Sequence, residues 1–172
     1  MYNLYLTGSK TLPFIENSNK DTDILVLSTE TITTFSTIKH QVKEKYTDFN
    51  NIDIHFQTID TLSYLFAYYM YLLHYIQPLE ENITIELPSV FDNKKEILYR
   101  CKDLIENDVI SRWYHCLINI CIFENNSYDF TDEQIQEINF YYKNKKNYET
   151  LNEEHRIKLL ERIKFILSVE EK

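Results

Sequence analysis

Glycine is nearly absent from the sequence, because Gly8 is the single glycine among 172 residues. At the usual frequency of about 7%, a chain of this length would contain roughly twelve. Alanine is almost as rare, with Ala67 alone, whereas Asn, Ile, Lys and Tyr are abundant. An AT-rich genome, such as that of a low-GC bacterium or its phage, favours this bias and replaces glycine wherever another residue is tolerated. We therefore expect Gly8 to occupy a backbone position that no other residue fits.

Cysteine is also scarce, and its three copies exclude a framework of paired disulfides. Cys101, Cys116 and Cys121 lack the spacing of a structural zinc site. They are expected to be buried, reduced thiols of a cytoplasmic protein. The first residues, MYNLYLTGSK, lack the basic start and the long apolar stretch of a signal peptide. The densest apolar run, residues 62–76, is too short to span a bilayer, so no membrane association is expected.

Positive charge is in deficit, with 18 Lys and Arg against 27 Asp and Glu, for a formal net charge of −9. A protein that binds DNA without sequence preference needs a basic surface, so this class is disfavoured. Hydrophobic residues make up 44% and charged residues 26%, a balance that indicates a folded globular chain and not a disordered one. The length fits one compact unit or a small domain with a helical extension.

Three segments near the start of the chain have the pattern of β-strands. Residues 2–6 (YNLYL) and 21–28 (DTDILVLS) are runs of strand-forming residues, and residues 51–58 (NIDIHFQT) alternate apolar with polar side chains. Between the last two, residues 31–46 carry apolar side chains every three or four positions, which predicts an amphipathic helix. A short extended segment is predicted at residues 83–87.

The remainder of the chain has mainly helical patterns. Thr131 followed by Gln134 predicts a capping box at the start of one of these helices. We therefore predict an α/β (α+β) fold, with a small mixed sheet in residues 1–60 and a mostly helical portion in residues 61–172 packed on it. The predicted helices cover residues 61–76, 94–106, 109–123, 132–146 and 152–169.

Three aspartates fall on two of the predicted strands. Asp21 and Asp23 are two residues apart, so their side chains project from the same face. Asp53 lies on the polar face of the third strand. If that strand is the neighbour of the second, its carboxylate comes within reach, because facing Cβ atoms on adjacent strands are about 5 Å apart. A turn at Gly8 and Ser9 would offer backbone N–H groups and a hydroxyl to phosphate oxygens.

Converging carboxylates repel one another unless a cation lies between them. Hard oxygen ligands select Mg²⁺ or Mn²⁺. Mg²⁺ bound by a few carboxylates usually completes its shell with substrate phosphates. Two such ions about 4 Å apart activate an attacking oxygen and stabilise a leaving pyrophosphate.

The segment LTGSKTLPFIENSNKDTDILVL resembles the signature of the DNA polymerase β-like nucleotidyltransferase superfamily. That signature is a Gly-Ser turn after a strand, a spacer, Asp-x-Asp leading into an apolar strand, and an acidic residue on a later strand. Here the residues are Gly8 and Ser9, then Asp21 and Asp23, then Asp53. The resemblance covers about residues 2–58. More loosely, QPLE at 77–80 and WYH at 113–115 are similar to the helical half of small bacterial and phage nucleotidyltransferases.

This resemblance implies transfer of a nucleoside monophosphate from an NTP to an unknown acceptor, with release of pyrophosphate. The acceptor class, whether protein, RNA or small molecule, stays open. Asp21 and Asp23 would hold Mg²⁺ or Mn²⁺, and Asp53 would be the third ligand and the base for an acceptor hydroxyl. Gly8 and Ser9 would contact the triphosphate.

Two lysines flank this predicted site and are the candidates to neutralise the charge of the triphosphate, namely Lys10 and Lys20. Lys20 stands where many members of the superfamily have serine, and the second glycine that many members carry is missing here. These departures keep an alternative open. In it the chain is a non-catalytic nucleotidyltransferase-fold protein, of phage or antitoxin type, that acts on a host protein or RNA.

Two further features have simpler structural interpretations. His55 shares the polar strand face with Asp53. A role in assisting an acceptor or a phosphate is open to it, and a hydrogen-bonded neighbour is the favoured interpretation. Five tyrosines fall at helical spacing between residues 61 and 76, and core packing is favoured over a base-stacking platform. A tyrosine-rich helical face is our candidate surface for a homodimer. These tyrosines are Tyr64, Tyr68, Tyr69, Tyr71 and Tyr75.

Overall fold

The structure is a computed structural model that describes residues 1–16, 21–49, 51–60 and 67–170. It has the predicted α+β class, with a four-stranded mixed sheet and a set of α-helices. The described residues form two compact units. The sheet unit comprises residues 1–13, 21–49, 51–60 and 70–88, and the helical unit comprises residues 14–16, 67–69 and 89–170.

The sheet has the strand order β3-β2-β1-β4. Strand β1 runs antiparallel to both of its neighbours, whereas β2 and β3 are parallel. The parallel pair needs a crossover connection, and the helix between β2 and β3 provides it. The strands are β1 (Tyr2–Thr7), β2 (Thr22–Ser28), β3 (Ile52–Thr58) and β4 (Gln77–Glu80).

Helix α1, Phe35–Lys45, covers one face of this sheet. Its buried residues Ile38 and Val42 pack with the alternate strand residues Leu4, Ile24 and Val26. The helix begins four residues later than the predicted start at 31. Its first turn is preceded by threonines, whose branched side chains have low helix propensity.

Strand β4 is absent from the sequence prediction, because Pro78 lies inside it and proline marks a break in most strand patterns. Proline is tolerated here since β4 is the last strand in the sheet order. The strand is anchored by Glu80, which accepts hydrogen bonds from Lys45 and from the Tyr46 hydroxyl. The predicted extended segment at 83–87 has no regular structure, although the side chain of Asn3 bonds the backbone of Ile83.

The predicted helix at 61–76 differs from what the structure shows over its described part. Residues 61–66 lie outside the described residues, and Ala67–His74 forms a 3-10 helix. Of the tyrosines in this stretch, Tyr64 lies outside the described residues. Tyr71 is fully buried in the sheet unit, and the Tyr69 ring packs edge-on against His115 within the helical unit. The prediction of core packing is confirmed for Tyr71, whereas Tyr69 is only partly buried.

The helical unit contains four α-helices at the predicted places. Helix α3 is its core, because every residue from Trp113 to Phe123 is buried. The predicted capping box is confirmed, since Gln134 N–H donates to Thr131 Oγ1 at 3.2 Å and Thr131 N–H donates to Gln134 Oε1 at 3.0 Å. The helices are α2 (Lys94–Glu106), α3 (Trp113–Asn125), α4 (Asp132–Lys143) and α5 (Glu153–Glu170).

All three cysteines are free and buried in the helical unit, as predicted. Burial raises the pKa of the Cys121 thiol to about 12 and raises that of Cys116 well above its usual value. Such thiols stay protonated at neutral pH and are poor metal ligands and nucleophiles. Their position therefore supports a packing role.

The sheet unit continues past residue 60, the predicted boundary between sheet and helices. The reason is β4, which pairs with β1 and brings residues up to Pro88 into this unit. A short segment near the start, Phe14–Glu16, belongs to the helical unit instead, where Asn139 bonds Phe14 O and Glu16 N–H. Across the described ranges, no helix has the length and apolar character that a membrane crossing requires.

Candidate functional site

The predicted neighbourhood of Asp23 and Asp53 is present in the sheet. These two residues are paired in register on the adjacent parallel strands β2 and β3. Ile24 and Ile54, the next residues along each strand, pack toward α1, so both aspartates project from the opposite face. Strands lie about 4.8 Å apart, which makes the two carboxylates direct neighbours.

Gly8 lies against the Asp23 carboxylate. Its backbone has φ 81° and ψ −166°, a region that only glycine occupies readily. A Cβ built on Gly8 would lie 2.9 Å from Asp23 Cγ and closer still to Asp23 Oδ2. The expectation that no other residue fits position 8 is therefore confirmed, and its cause is both the backbone angle and the approach to Asp23.

The turn after Gly8 is a single 3-10 turn, Ser9–Thr11. The Gly8 carbonyl accepts two bonds from Thr11, one from its backbone N–H at 3.1 Å and one from its hydroxyl at 2.8 Å. The Ser9 carbonyl accepts the N–H of Leu12. These bonds fix the turn beside the aspartates.

His55 completes a polar cluster on this face. Its Nε2–H donates to Asp23 Oδ1 at 3.0 Å, and the two side chains are 50% and 28% exposed. This hydrogen bond raises the pKa of His55 above its usual value. Burial opposes the rise, and the charges of Asp23 and Asp53 add to it. The interpretation of His55 as a hydrogen-bonded neighbour is confirmed, although its partner is Asp23.

Asp21 lies just before β2 and is exposed. Asn51 Nδ2 donates to Asp21 Oδ1 at 3.2 Å, and the Asn51 carbonyl accepts the N–H of Thr22 at the same distance. Asn51 has φ 43°, in the left-handed region that asparagine tolerates better than most residues. Sequence reasoning missed this residue. The signal was an asparagine at the first position of the predicted strand 51–58.

Of the two candidate lysines, Lys10 is described, and its bond is not to the carboxylates. Lys10 Nζ donates to Thr22 Oγ1 at 2.8 Å. Thr22 is next to Asp23 along β2, so its side chain projects from the opposite face of the strand. Lys20 lies outside the described residues.

Among the residues that the structure describes, no group of three His, Cys, Asp or Glu side chains is arranged to hold a metal ion. One oxygen of the Asp23 carboxylate accepts the bond from His55, and the other lies against Gly8.

Comparisons with protein-family models, with curated proteins and with solved structures find no match to this chain. The resemblance to the nucleotidyltransferase signature therefore depends on the residues of this chain alone.

The side chains of this polar cluster can take part in proton transfer. Asp53 is an exposed carboxylate that can accept a proton from a bound hydroxyl. The imidazole of His55 is half exposed and is held by Asp23, so it can exchange a proton with a group bound beside Asp53. The Gly8 turn has no side chain and packs directly against Asp23, so its backbone lies beside these groups.

Proposed function

We propose that this protein is a nucleotidyltransferase that moves a nucleoside monophosphate from an NTP to an acceptor. The observation that carries the proposal is the in-register pair of Asp23 and Asp53, with Gly8 packed against Asp23. The signature that the sequence resembles requires its third acidic residue near the Asp-x-Asp pair. The parallel pairing of β2 with β3 meets that requirement.

In the proposed reaction an acceptor hydroxyl gives its proton to Asp53. The oxygen then attacks the α-phosphorus of the NTP, and the bond to the β-phosphate oxygen breaks to release pyrophosphate. The Gly8–Ser9 turn contacts the triphosphate. Asp21 and Asp23 remain the candidates for holding Mg²⁺ or Mn²⁺. Asp23 also accepts the bond from His55, so the transfer assay measures metal dependence directly.

The proposed setting is the cytoplasm, and the three free, buried cysteines support it. The acceptor is a protein, an RNA or a small molecule.

A transfer assay with labelled NTP tests the proposal. Each of the four NTPs is supplied with Mg²⁺, Mn²⁺ or a chelator, with the protein itself and a low-GC bacterial lysate as acceptors. We expect label transfer that falls about a hundredfold or more in Asp53→Asn, because removal of a general base costs that much. The matched control is Asp60→Asn, an exposed carboxylate two residues beyond the end of β3. Equal transfer by Asp53→Asn and wild type contradicts the assigned role.

A second function is favoured by the contacts of Asp23. Because that carboxylate is already bonded to His55, the fold also suits a protein that binds a nucleotide, or a host protein or RNA, without turnover. Binding of a fluorescent NTP analogue separates the two functions. Binding that persists in the Asp21→Asn/Asp23→Asn double variant, without transfer by the wild type, supports the non-catalytic function.

A further inference from the structure

A cavity of about 230 Å³ lies in the sheet unit, at the carboxyl ends of the parallel strands β2 and β3. Ser28 and Thr58, the last residues of these two strands, belong to its lining. Further wall comes from the segment between β2 and α1 and from Phe35, the first residue of that helix. In open sheets with parallel strands, ligands bind in the crevice outside the carboxyl ends of the strands. The position of the cavity therefore suits a ligand site.

This cavity is separate from the pair of aspartates. Asp23 and Asp53 stand five residues before Ser28 and Thr58 on the same two strands. At about 3.3 Å per residue, the two places are roughly 16 Å apart. A small ligand in the cavity therefore does not contact the carboxylates.

The wall of the cavity is largely apolar and partly aromatic. Ile32, Phe35 and Phe56 line it, and the two phenyl rings meet edge to face with their centres 4.7 Å apart. The Phe35 side chain is 45% exposed, so part of this aromatic surface is open to a ligand. Aromatic rings pack favourably against one another in offset and edge-to-face arrangements. A flat aromatic ring is thus the group that matches this wall.

The volume of the cavity limits the size of such a ligand. A cavity of about 150 Å³ lined by apolar side chains holds one benzene molecule. Pockets for drug-sized ligands begin at about 300 Å³. The cavity in this protein lies between these two sizes. Its volume therefore matches a single ring that carries a short substituent.

A positive charge lies beside the aromatic wall. Lys39 Nζ is 6.0 Å from the centre of the Phe56 ring, and Lys39 follows Phe35 by one helical turn. Helix α1 is basic although the whole chain is acidic, because it contains three lysines and one glutamate. That glutamate, Glu44, contacts His40, whereas Lys39 forms no ion pair within the described part of the chain. A carboxylate on the ligand would supply this partner.

We propose that this cavity binds a small aromatic carboxylate. The ring lies against Phe35 and Phe56, where it removes apolar surface from water, and the carboxylate pairs with Lys39 at the edge of the cavity. The ring provides most of the affinity, since an exposed ion pair contributes little by itself. This inference depends on the cavity and on the charge of α1, and not on nucleotide transfer.

Three probes that differ in one group each test the proposal on the full chain. Phenylacetate has the ring and the charge, phenylacetamide keeps the ring without the charge, and acetate keeps the charge without the ring. Titrations followed by two-dimensional amide NMR spectra measure the affinity of each probe. We expect phenylacetate to bind with a dissociation constant of about 1 mM or lower. Phenylacetamide should bind about two- to fivefold more weakly, the usual effect of an exposed ion pair, and acetate should not bind measurably.

Two variants locate the binding in this cavity. Lys39→Gln removes the charge, so phenylacetate and phenylacetamide should then bind equally. Lys43→Gln makes the same charge change one helical turn further from Phe35 and should leave the difference between the probes intact. Thr31→Trp places a large side chain at an exposed position of the lining and should abolish binding of both ring-bearing probes, whereas Thr31→Ser should not. Circular dichroism should match wild type for every variant.

The proposal has clear contrary outcomes. Absence of any phenylacetate binding by wild type, at roughly ten times the expected dissociation constant, overturns it. Equal affinity of wild type for phenylacetate and phenylacetamide overturns the role of the charge. A preference for phenylacetate that survives Lys39→Gln, or binding that is unchanged in a folded Thr31→Trp variant, also overturns the proposal because the ligand would then lie elsewhere.

Discussion

Gly8 and Asp23 are in contact across strands β1 and β2, with the glycine backbone facing the carboxylate. Thr7, the last residue of β1, pairs with Asp23, so the chain enters the turn directly beside this side chain. A side chain at position 8 would occupy the volume that the carboxylate fills. The single glycine of the chain therefore lies where the backbone passes directly beside the Asp23 carboxylate.

Replacement of Gly8 by alanine should destabilise the sheet unit by at least about 2 kcal/mol, because the backbone angle is strained for any L-residue and Cβ collides with Asp23. Urea unfolding followed by far-UV circular dichroism measures the change. In the double variant Gly8→Ala/Asp23→Ala the collision is removed but the backbone strain remains. We therefore expect partial recovery. Full stability of Gly8→Ala would contradict the observed geometry.

Much of the sheet could be predicted because its signals are local. The alternation in β3 and the apolar run in β2 identify both strands, and the helix between them implies a parallel pair. The position of Asp53 next to Asp23 follows from that pairing. The remaining features depend on contacts between distant parts of the chain. Strand β4 forms because β1 offers it an edge, and Lys10 bonds Thr22 although sequence proximity suggested a role beside the aspartates.

The helices of the helical unit could also be predicted, because their signals are local. The hydrogen bonds of the buried polar side chains could not. Periodicity and the Thr131 capping signal locate the helices. The bonds of Asn139 to Phe14 and Glu16 join residues more than a hundred positions apart, and no local pattern indicates them. Similarly, the contact of Asn51 with Asp21 depends on the register of two strands.

The stability of the helical unit should depend on pH through His115. This residue is buried in α3, where burial lowers its pKa well below the usual value, and nearby Arg112 and Lys145 lower it further. The rings of Tyr69 and Tyr114 pack against it. The folded state therefore holds His115 neutral at pH values at which the unfolded chain binds a proton.

The direction in which pH changes the free energy of unfolding follows from proton linkage. Below about pH 6.5 the unfolded state takes up a proton that the native His115 does not. The free energy of unfolding should therefore fall as pH decreases, by up to about 1.4 kcal/mol per pH unit from this group. Above that pH the effect vanishes, since both states are neutral. Denaturant titrations followed by fluorescence of Trp113, the single tryptophan, measure it. In His115→Phe the slope should decrease, and an unchanged slope would contradict the assignment.

Arg162 should stabilise the packing of α5 on α3 and α4. Its guanidinium donates to both oxygens of Glu124, at 3.0 and 2.6 Å, and to Glu137 Oε1 at 2.8 Å. Because the Arg162 side chain is only 26% exposed, Arg162→Met should cost about 1–3 kcal/mol, between the values for exposed and buried ion pairs. Arg162→Lys keeps the charge but loses the forked geometry, so it should recover only part of this. Thermal unfolding compares the three proteins, and equal stability of Arg162→Met and wild type would refute the prediction.

The start of α4 offers a test of helix capping that is separate from the core. Thr131 Oγ1 accepts the N–H of Gln134, and the Gln134 side chain in turn bonds the Thr131 N–H and the side chain of Asn125. Thr131→Ala should lower the free energy of unfolding by about 1 kcal/mol, the usual cost of losing a capping hydroxyl. Thr131→Ser retains the hydroxyl oxygen and should be nearly neutral. Gln134→Ala removes the reciprocal bond and the link to Asn125, so its cost should equal or exceed that of Thr131→Ala. Urea unfolding compares the variants. A cost of Gln134→Ala below that of Thr131→Ala would contradict this prediction and show that the bond to Asn125 contributes little.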